Sequence, residues 1–212
     1  MLYFNTIIEL YKRGLLFYFF NNKTPNYKLD DLLKKGKAGG TPKTTNKLFY
    51  NGDIPFLSIS DMTNQGKYIC HTEKHISIDG INNSATWLVP DKSLIISMYA
   101  SYGLVTINKI PLCTSQAMFS MIPINPEITN YLYYYLNFLS EIGYYDKMVS
   151  TGTQPNLNAD KIKNIPIWYP DDSESKYISK SLDVFDDYLL KNNQLFDLLN
   201  KVKKSLLQQM FI

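Results

Sequence analysis

Ile178-Ser179-Lys180-Ser181-Leu182-Asp183-Val184-Phe185-Asp186-Asp187-Tyr188-Leu189 opens the run that decides how this 212-residue chain is built. Ile178, Leu182, Phe185, Leu189, Asn192, Phe196, Leu199, Lys203, Leu206 and Met210 follow at alternating steps of four and three. That spacing is a heptad seam with two polar members, Asn192 and Lys203, of the kind that fix register and partner at some cost in stability. The spacing predicts one helix from Glu174 to Ile212, spanning roughly 55 Å at ~1.5 Å per residue. A stripe that long needs a second helix to cover it, because a domain this small cannot.

The end of the helix is echoed near the start of the chain. Lys203-Lys204-Ser205-Leu206-Leu207-Gln208-Gln209-Met210-Phe211 matches Lys12-Arg13-Gly14-Leu15-Leu16-Phe17-Tyr18-Phe19-Phe20 in pattern: two basic residues, a small one, Leu-Leu, then an apolar end. The layout is therefore a helix tail over 1–22, a globular segment over 23–170 and a helix over 171–212. It suits a protein that sets position or distance rather than one that encloses a cofactor.

An apolar content of 45% fits a folded core and argues against disorder. The net charge of +3 says little, but its distribution says more. Lys34, Lys35, Lys37, Lys43 and Lys47 fall in a stretch without acids, a local patch suited to a phosphate backbone or to a solvated loop. Arg13 is the only arginine, so base reading has to use Lys, Asn, Gln, Ser, Thr or Tyr rather than the Arg–guanine fork. Two cysteines, Cys70 and Cys113, without a disulfide framework suit a reducing cytoplasm. The apolar run Leu15–Phe20 is too short to span a bilayer and is a poor signal peptide, so no membrane partner is expected.

Between the helical ends, 21–27 reads as a linker, and Leu29, Leu32 and Leu33 as a short helix closed by Gly36. Gly39-Gly40-Thr41-Pro42 is a loop. Strands are expected over 54–59, 68–78 and 94–107, the last turning near Ser101-Tyr102-Gly103. Ile128, Tyr131, Leu132, Tyr135, Leu136, Leu139 and Ile142 mark a helical face on which the tyrosines serve the core rather than a base-stacking platform. Residues 152–158 form a loop, and 165–170 an extended strand. The expected fold class is α+β: one mixed, strand-rich domain followed by a long coiled-coil helix.

Two catalytic patterns are weighed and set aside. Cys70-His71-Thr72-Glu73-Lys74-His75 lacks a second close cysteine and lies in a strand-like context, unlike a zinc site. Asp171, Asp172, Glu174 and Lys176 carry the letters of a metal-dependent nuclease. Their spacing leaves no room for a strand turn, and acids at a helix start complement its dipole. No phosphate-cradling loop or dinucleotide fingerprint appears.

Gly39-Gly40-Thr41-Pro42-Lys43, followed by Tyr50-Asn51-Gly52-Asp53-Ile54-Pro55-Phe56-Leu57, resembles the opening of a target-recognition domain from the specificity subunits of type I restriction–modification systems. Ile95-Ile96-Ser97 with Ser101-Tyr102-Gly103, then Gln116, then Tyr131-Leu132-Tyr133-Tyr134-Tyr135-Leu136, resemble later parts in order. So do Gly152-Thr153-Gln154-Pro155-Asn156-Leu157 before Ile165-Pro166-Ile167, and the helix end Leu206–Phe211. Met98 stands where the family often has arginine, and Thr114-Ser115 depart from the segment that ends at Gln116. With one such domain, the chain resembles a half subunit, or the C-terminal half of a split or rearranged one.

The resemblance implies a non-catalytic reader of double-stranded DNA that takes one half of a bipartite target. It would dock methyltransferase subunits and, through them, restriction/translocase subunits. S-adenosylmethionine, ATP and Mg would belong to those partners, leaving this chain without a cofactor. DNA contact is expected from Lys37, Gly40, Thr41, Lys43, Ser101, Tyr102, Thr153, Gln154 and Asn156. Pairing, as a homodimer or with a second specificity fragment, is expected through Ile178, Leu182, Phe185, Leu189, Asn192, Phe196, Leu199, Leu206 and Met210, with the N-terminal tail near the helix end of its mate. The rival readings are a stand-alone endonuclease built on Asp171, Glu174 and Lys176, and a coiled-coil adaptor that binds no DNA.

Overall fold

A computed structural model describes residues 2–99, 101–149 and 156–210. In chain order its elements are α1 (Leu2–Phe20), β1 (Tyr27–Lys28), β2 (Leu33–Ala38), β3 (Ile54–Leu57), α2 (Ile59–Gln65), β4 (Tyr68–Ile69) and β5 (Lys74–Ile76). They continue with α3 (Ile78–Asn82), β6 (Leu94–Ser97), β7 (Val105–Asn108), β8 (Cys113–Thr114), β9 (Met118–Pro123), α4 (Thr129–Glu141), α5 (Tyr144–Met148), α6 (Ala159–Lys163), β10 (Pro166–Ile167) and α7 (Asp172–Met210). The class is α+β, closed by one long helix.

The centre is a five-stranded sheet in the order β2-β9-β6-β7-β4. Its middle strands are buried along their whole length or nearly so, because both faces are covered. On one face Leu94, Ile96, Val105, Ile107, Phe119 and Met121 meet the aromatic helix α4, with Leu16 and Phe20 of α1 and Ile178 and Leu182 of α7 in the same cluster. On the other, Ile95 and Met118 join Leu57, Met62, Ile69, Val89 and Leu112. A three-stranded sheet, β5-β3-β8, adjoins this second side.

The tyrosines of α4 are core residues: Tyr131, Tyr133, Tyr134 and Tyr135 are all buried. Phe20 sits edge-on to Tyr131 at 5.7 Å and to Tyr135 at 5.2 Å between ring centres, the geometry aromatic pairs prefer. Burial raises the Tyr131 and Tyr134 hydroxyls far above their usual range. Both oxygens find partners, the Trp168 carbonyl for Tyr131 and the Asp183 and Asp186 carboxylates for Tyr134.

Three local expectations are corrected. The segment after Leu29 is a 3-10 turn, Leu29–Leu32, that runs straight into β2. Gly36 lies inside that strand, where a Cβ would come within 2.8 Å of the Phe119 ring, so it serves close packing and not a helix end. The stretch 68–78 divides into two short strands in different sheets. Ser58 caps a helix, with its hydroxyl accepting from the Asp61 amide, and so ends the strand expected over 54–59.

Helix α7 has 39 residues, and α1 runs antiparallel along its first half. Asn5 Nδ2 donates to Asn193 Oδ1 at 2.9 Å, Lys12 pairs with Asp186, and Phe19 meets Tyr177 edge-on at 6.2 Å. The N-terminal tail thus packs on the helix of its own chain, beside the start of α7 rather than its end. No helix among the described residues is long and apolar enough to cross a membrane.

Candidate nucleic-acid interface

Three connections meet at the same end of the central sheet, and the register requires it. Ala38 pairs with Phe119, Ser97 with Met118, and Ile96 with Val105. The exit of β2, the exit of β6, the entry of β7 and the entry of β9 are therefore neighbours. This gathers 39–46, 98–104 and 115–117 along one edge. Leu157 joins them through Met98, whose amide donates to the Ala117 carbonyl at 2.7 Å and whose carbonyl accepts from the Leu157 amide at 3.0 Å.

Each loop is fixed by its own sequence. Ser97 holds the 98–104 turn: its hydroxyl donates to the Ser101 carbonyl and accepts from the Leu104 amide at 3.0 Å. Gly103 has a φ of +81°, and a Cβ there would fall 2.5 Å from the Tyr145 ring, so the turn needs glycine twice over. The Tyr102 hydroxyl donates to Asp146 at 2.8 Å, and that bond raises it above its ordinary value. Gly39 and Gly40 are buried: a Cβ on either would strike backbone, of Thr114 in the first case and of Ala85 and Thr86 in the second. Their amides donate to the Met118 and Thr114 carbonyls. Gly40, expected to touch DNA, thus serves the close approach of one chain segment to another.

The other expected contact residues fall as follows. Lys37, Thr41, Lys43 and Ser101 are exposed, and Tyr102 and Asn156 are half-buried. Thr153 and Gln154 lie outside the described residues. Thr41 Oγ1 donates to Gln116 Oε1, which brings an exposed amide from a different loop against the Gly-Gly-Thr-Pro turn. Gln116 was noted in the sequence only for its resemblance; the register adds it to the cluster. Lys35 is a weaker candidate, because its ammonium lies 4.0 Å from the centre of the Trp87 ring. The edge thus displays hydroxyls, amides and lysine ammoniums, groups that bond phosphates and base edges in the absence of arginine.

Beside the opening of β4 lies a second polar cluster. Lys67 Nζ donates to Tyr134 Oη at 2.7 Å, to Asp183 Oδ1 at 2.5 Å and to Asp186 Oδ2 at 3.3 Å, with its side chain 9% exposed. Lys12 of α1 closes on Asp186, and Asn130 of α4 donates to Asp183 at 2.9 Å. Burial alone lowers the Lys67 pKa, but the bond to Asp183 and the fields of Asp186 and Asp183 outweigh it, and the net shift is upward. One lysine thus ties the sheet to α4 and α7, and shares Asp186 with α1. Periodicity gave no sign of it, since Asp183 and Asp186 read as acids near a helix start.

Of the expected pairing residues, Ile178 and Leu182 are buried in the chain's own core, which removes them from any seam formed on top of this fold. Phe185, Leu189 and Asn192 are half-buried, and Phe196, Leu199 and Leu206 are exposed. Asp171, Glu174 and Lys176 do not converge. Asp171 Oδ1 accepts from the Glu174 amide at 2.7 Å as a cap, and Lys176 reaches Glu127 at 3.6 Å. Among the described residues no group of three His, Cys, Asp or Glu side chains is placed to hold a metal ion.

Residues 21–204 match the family model for the type I restriction modification DNA specificity domain. The chain is 34% identical over 167 residues to the HindI specificity subunit of Haemophilus influenzae, covering 76% of this chain and 36% of that protein. It is 29% identical over 176 residues to the MjaIX specificity subunit of Methanocaldococcus jannaschii, covering 82% of this chain and 41% of that one. It therefore spans less than half the length of these relatives. Its fold is that of the HsdS subunit from Thermoanaerobacter tengcongensis (TM-score 0.63, 15% identity, 90% of this chain and 46% of that one). The S subunit from M. genitalium is similar to the same degree (TM-score 0.64, 14% identity, 95% of this chain and 52% of that one). With Gly39–Lys43, Ser101–Gly103 and Gln116 at one sheet end and a family model matched over residues 21–204, the chain belongs to the type I restriction–modification DNA specificity domain family.

Proposed function

We propose that this chain is a non-catalytic DNA reader that takes one half of a bipartite target through the loop end of its central sheet. Lys37 and Lys43 neutralise phosphates and set register; Thr41, Gln116, Ser101, Tyr102 and Asn156, with Thr153 and Gln154 from the same connection, read base edges. Two copies pair through α7, which carries the two readers apart and makes the target a split, inverted repeat. Methyltransferase subunits dock on the helical side, and restriction subunits join through them. The observation that carries the reading is the convergence of three polar connections on one edge, two of them shaped by Gly39, Gly40 and Gly103, with exposed Lys37 and Lys43 beside them.

Anisotropy of a labelled duplex library, titrated with the chain and its modification subunit at several salt concentrations, tests this. Lys43→Glu should weaken retention on all sequences and flatten the salt slope by about one ion or more. Gln116→Ala should relax preference at one position of the half-site. Wild-type affinity and preference in both variants would remove the loop end from the interface.

A further inference from the structure

No described side chain covers the second half of α7. Leu195, Leu206 and Leu207 are 49%, 55% and 44% exposed, and every described side chain from Asn193 to Gln209 is exposed. This bare stretch is the one that α1 resembles. With Lys12 set on Lys203, Arg13 falls on Lys204, Leu15 on Leu206 and Leu16 on Leu207. Phe20 falls on Phe211, which lies outside the described residues. Continued backward, Asn5 falls on Phe196.

The matched positions are the ones that anchor α1. Lys12 pairs with Asp186, Arg13 Nε lies 2.8 Å from Glu141 Oε2, and Leu16 is buried in the core. Lys203, Lys204 and Leu207 present the same charges and the same apolar side chain in the same order. The site they would enter is the groove between α4 and the first half of α7, now filled by α1.

Laid in the place of α1, the second half of a neighbouring α7 would put its Lys203 on Asp186 and its Phe196 beside Asn193, where Asn5 now lies. By the same register Asn193 of the neighbour meets Phe196 of the first copy. As in any antiparallel pair of identical helices, each contact has its mirror, so this placement closes a two-fold pair.

We infer that α1 is an internal stand-in for the second half of a neighbouring α7, and that the two compete for one groove, so that pairing of two copies requires α1 to leave. The inference rests on the two-copy reading proposed above and adds its switch. Tethering favours α1, because a segment joined to its site acts at an effective concentration near the millimolar range. Packing favours it too: Phe17 meets Phe138 edge-on at 5.5 Å, and Gln208, its counterpart, has no ring. The closed monomer therefore dominates in dilute solution and the pair forms as concentration rises.

The full chain, with Cys70→Ser to remove the exposed thiol, is prepared as Asn5→Cys/Asn193→Cys and joined by a short, reducible bis-thiol crosslinker. Sedimentation should show the joined protein monomeric over a range in which the reduced protein forms dimers, a shift in apparent dissociation constant of at least about tenfold. Phe17→Ala should shift the unjoined chain the other way. A mixture of Asn193→Cys and Phe196→Cys chains should crosslink between copies. Equal dimerisation before and after reduction, with no 193–196 crosslink, would overturn the competition and leave the two-copy reading standing. Monomers in both states up to hundreds of micromolar would overturn both.

Discussion

The two polar regions of this domain are built on opposite rules. At the loop end, most of the side chains that matter are exposed, and what is fixed is the backbone beneath them: Gly39, Gly40 and Gly103 admit approaches that no Cβ would allow, and Ser97 ties the turn. At the lysine cluster the side chains themselves are locked, with Lys67 buried between two carboxylates and a tyrosine. A reading surface has to keep some donors and acceptors open to solvent, whereas a joint that orients a helix buries and pairs its own. A variant's effect should therefore depend on which rule it breaks.

The largest loss of stability is expected at the joint. Lys67→Met leaves Asp183 and Asp186 charged beside a buried methyl, and removing one partner of a buried pair costs about 3–5 kcal/mol. Urea unfolding should record it, with base preference unchanged in whatever fraction remains folded. Next is the frame of the loops: Gly39→Ala places a Cβ 2.1 Å from the Thr114 carbonyl oxygen, and relief by backbone shift should cost roughly 1–3 kcal/mol and loosen DNA binding as well. Gln116→Ala should leave stability within ~0.5 kcal/mol yet reduce discrimination at one base pair by about 1–3 kcal/mol. A stability loss there as large as at Lys67 would erase the distinction between the regions.

The smallest effect is a dependence on pH. The folded-state pKa of Lys67 is raised, so its contribution is complete below the unfolded value of about 10.4 and fades only as pH climbs through the higher folded value. Urea midpoints of the wild type and Lys67→Met should keep a constant separation between pH 7 and 9 and converge only at a pH above the ordinary lysine range. Convergence near neutrality would mean that the lysine is not held as described.

How much of this was legible in the sequence depended on the range of the signal. The heptads of α7, the face of α4 and the turn at 101–103 are local patterns with a period, and each was read from its own residues. β9 was missed because Met118–Pro123 is buried along nearly all of its length and shows no alternation to set it apart from an irregular apolar stretch. The edge strand Leu33–Ala38 was hidden because Leu29, Leu32 and Leu33 read as a short helix closed by Gly36. Lys67 meets Asp183 116 residues away, and no spacing rule reaches that far. The contact residues were chosen by resemblance, and their gathering depends on strand register, which also brought in Gln116 and explained Gly40 differently. The heptad spacing marked the helix but not its cover: the same spacing describes Ile178 in the core and Leu206 in solvent.

The central claim is that the loop end reads half of a split site and α7 sets the separation. Methylome sequencing of cells that express this chain with its modification subunit tests it most directly. The account predicts a new adenine-methylation motif made of two inverted half-sites with a fixed gap, relaxed at one position in each half by Gln116→Ala. An undivided motif, or a motif untouched by that substitution, would contradict it.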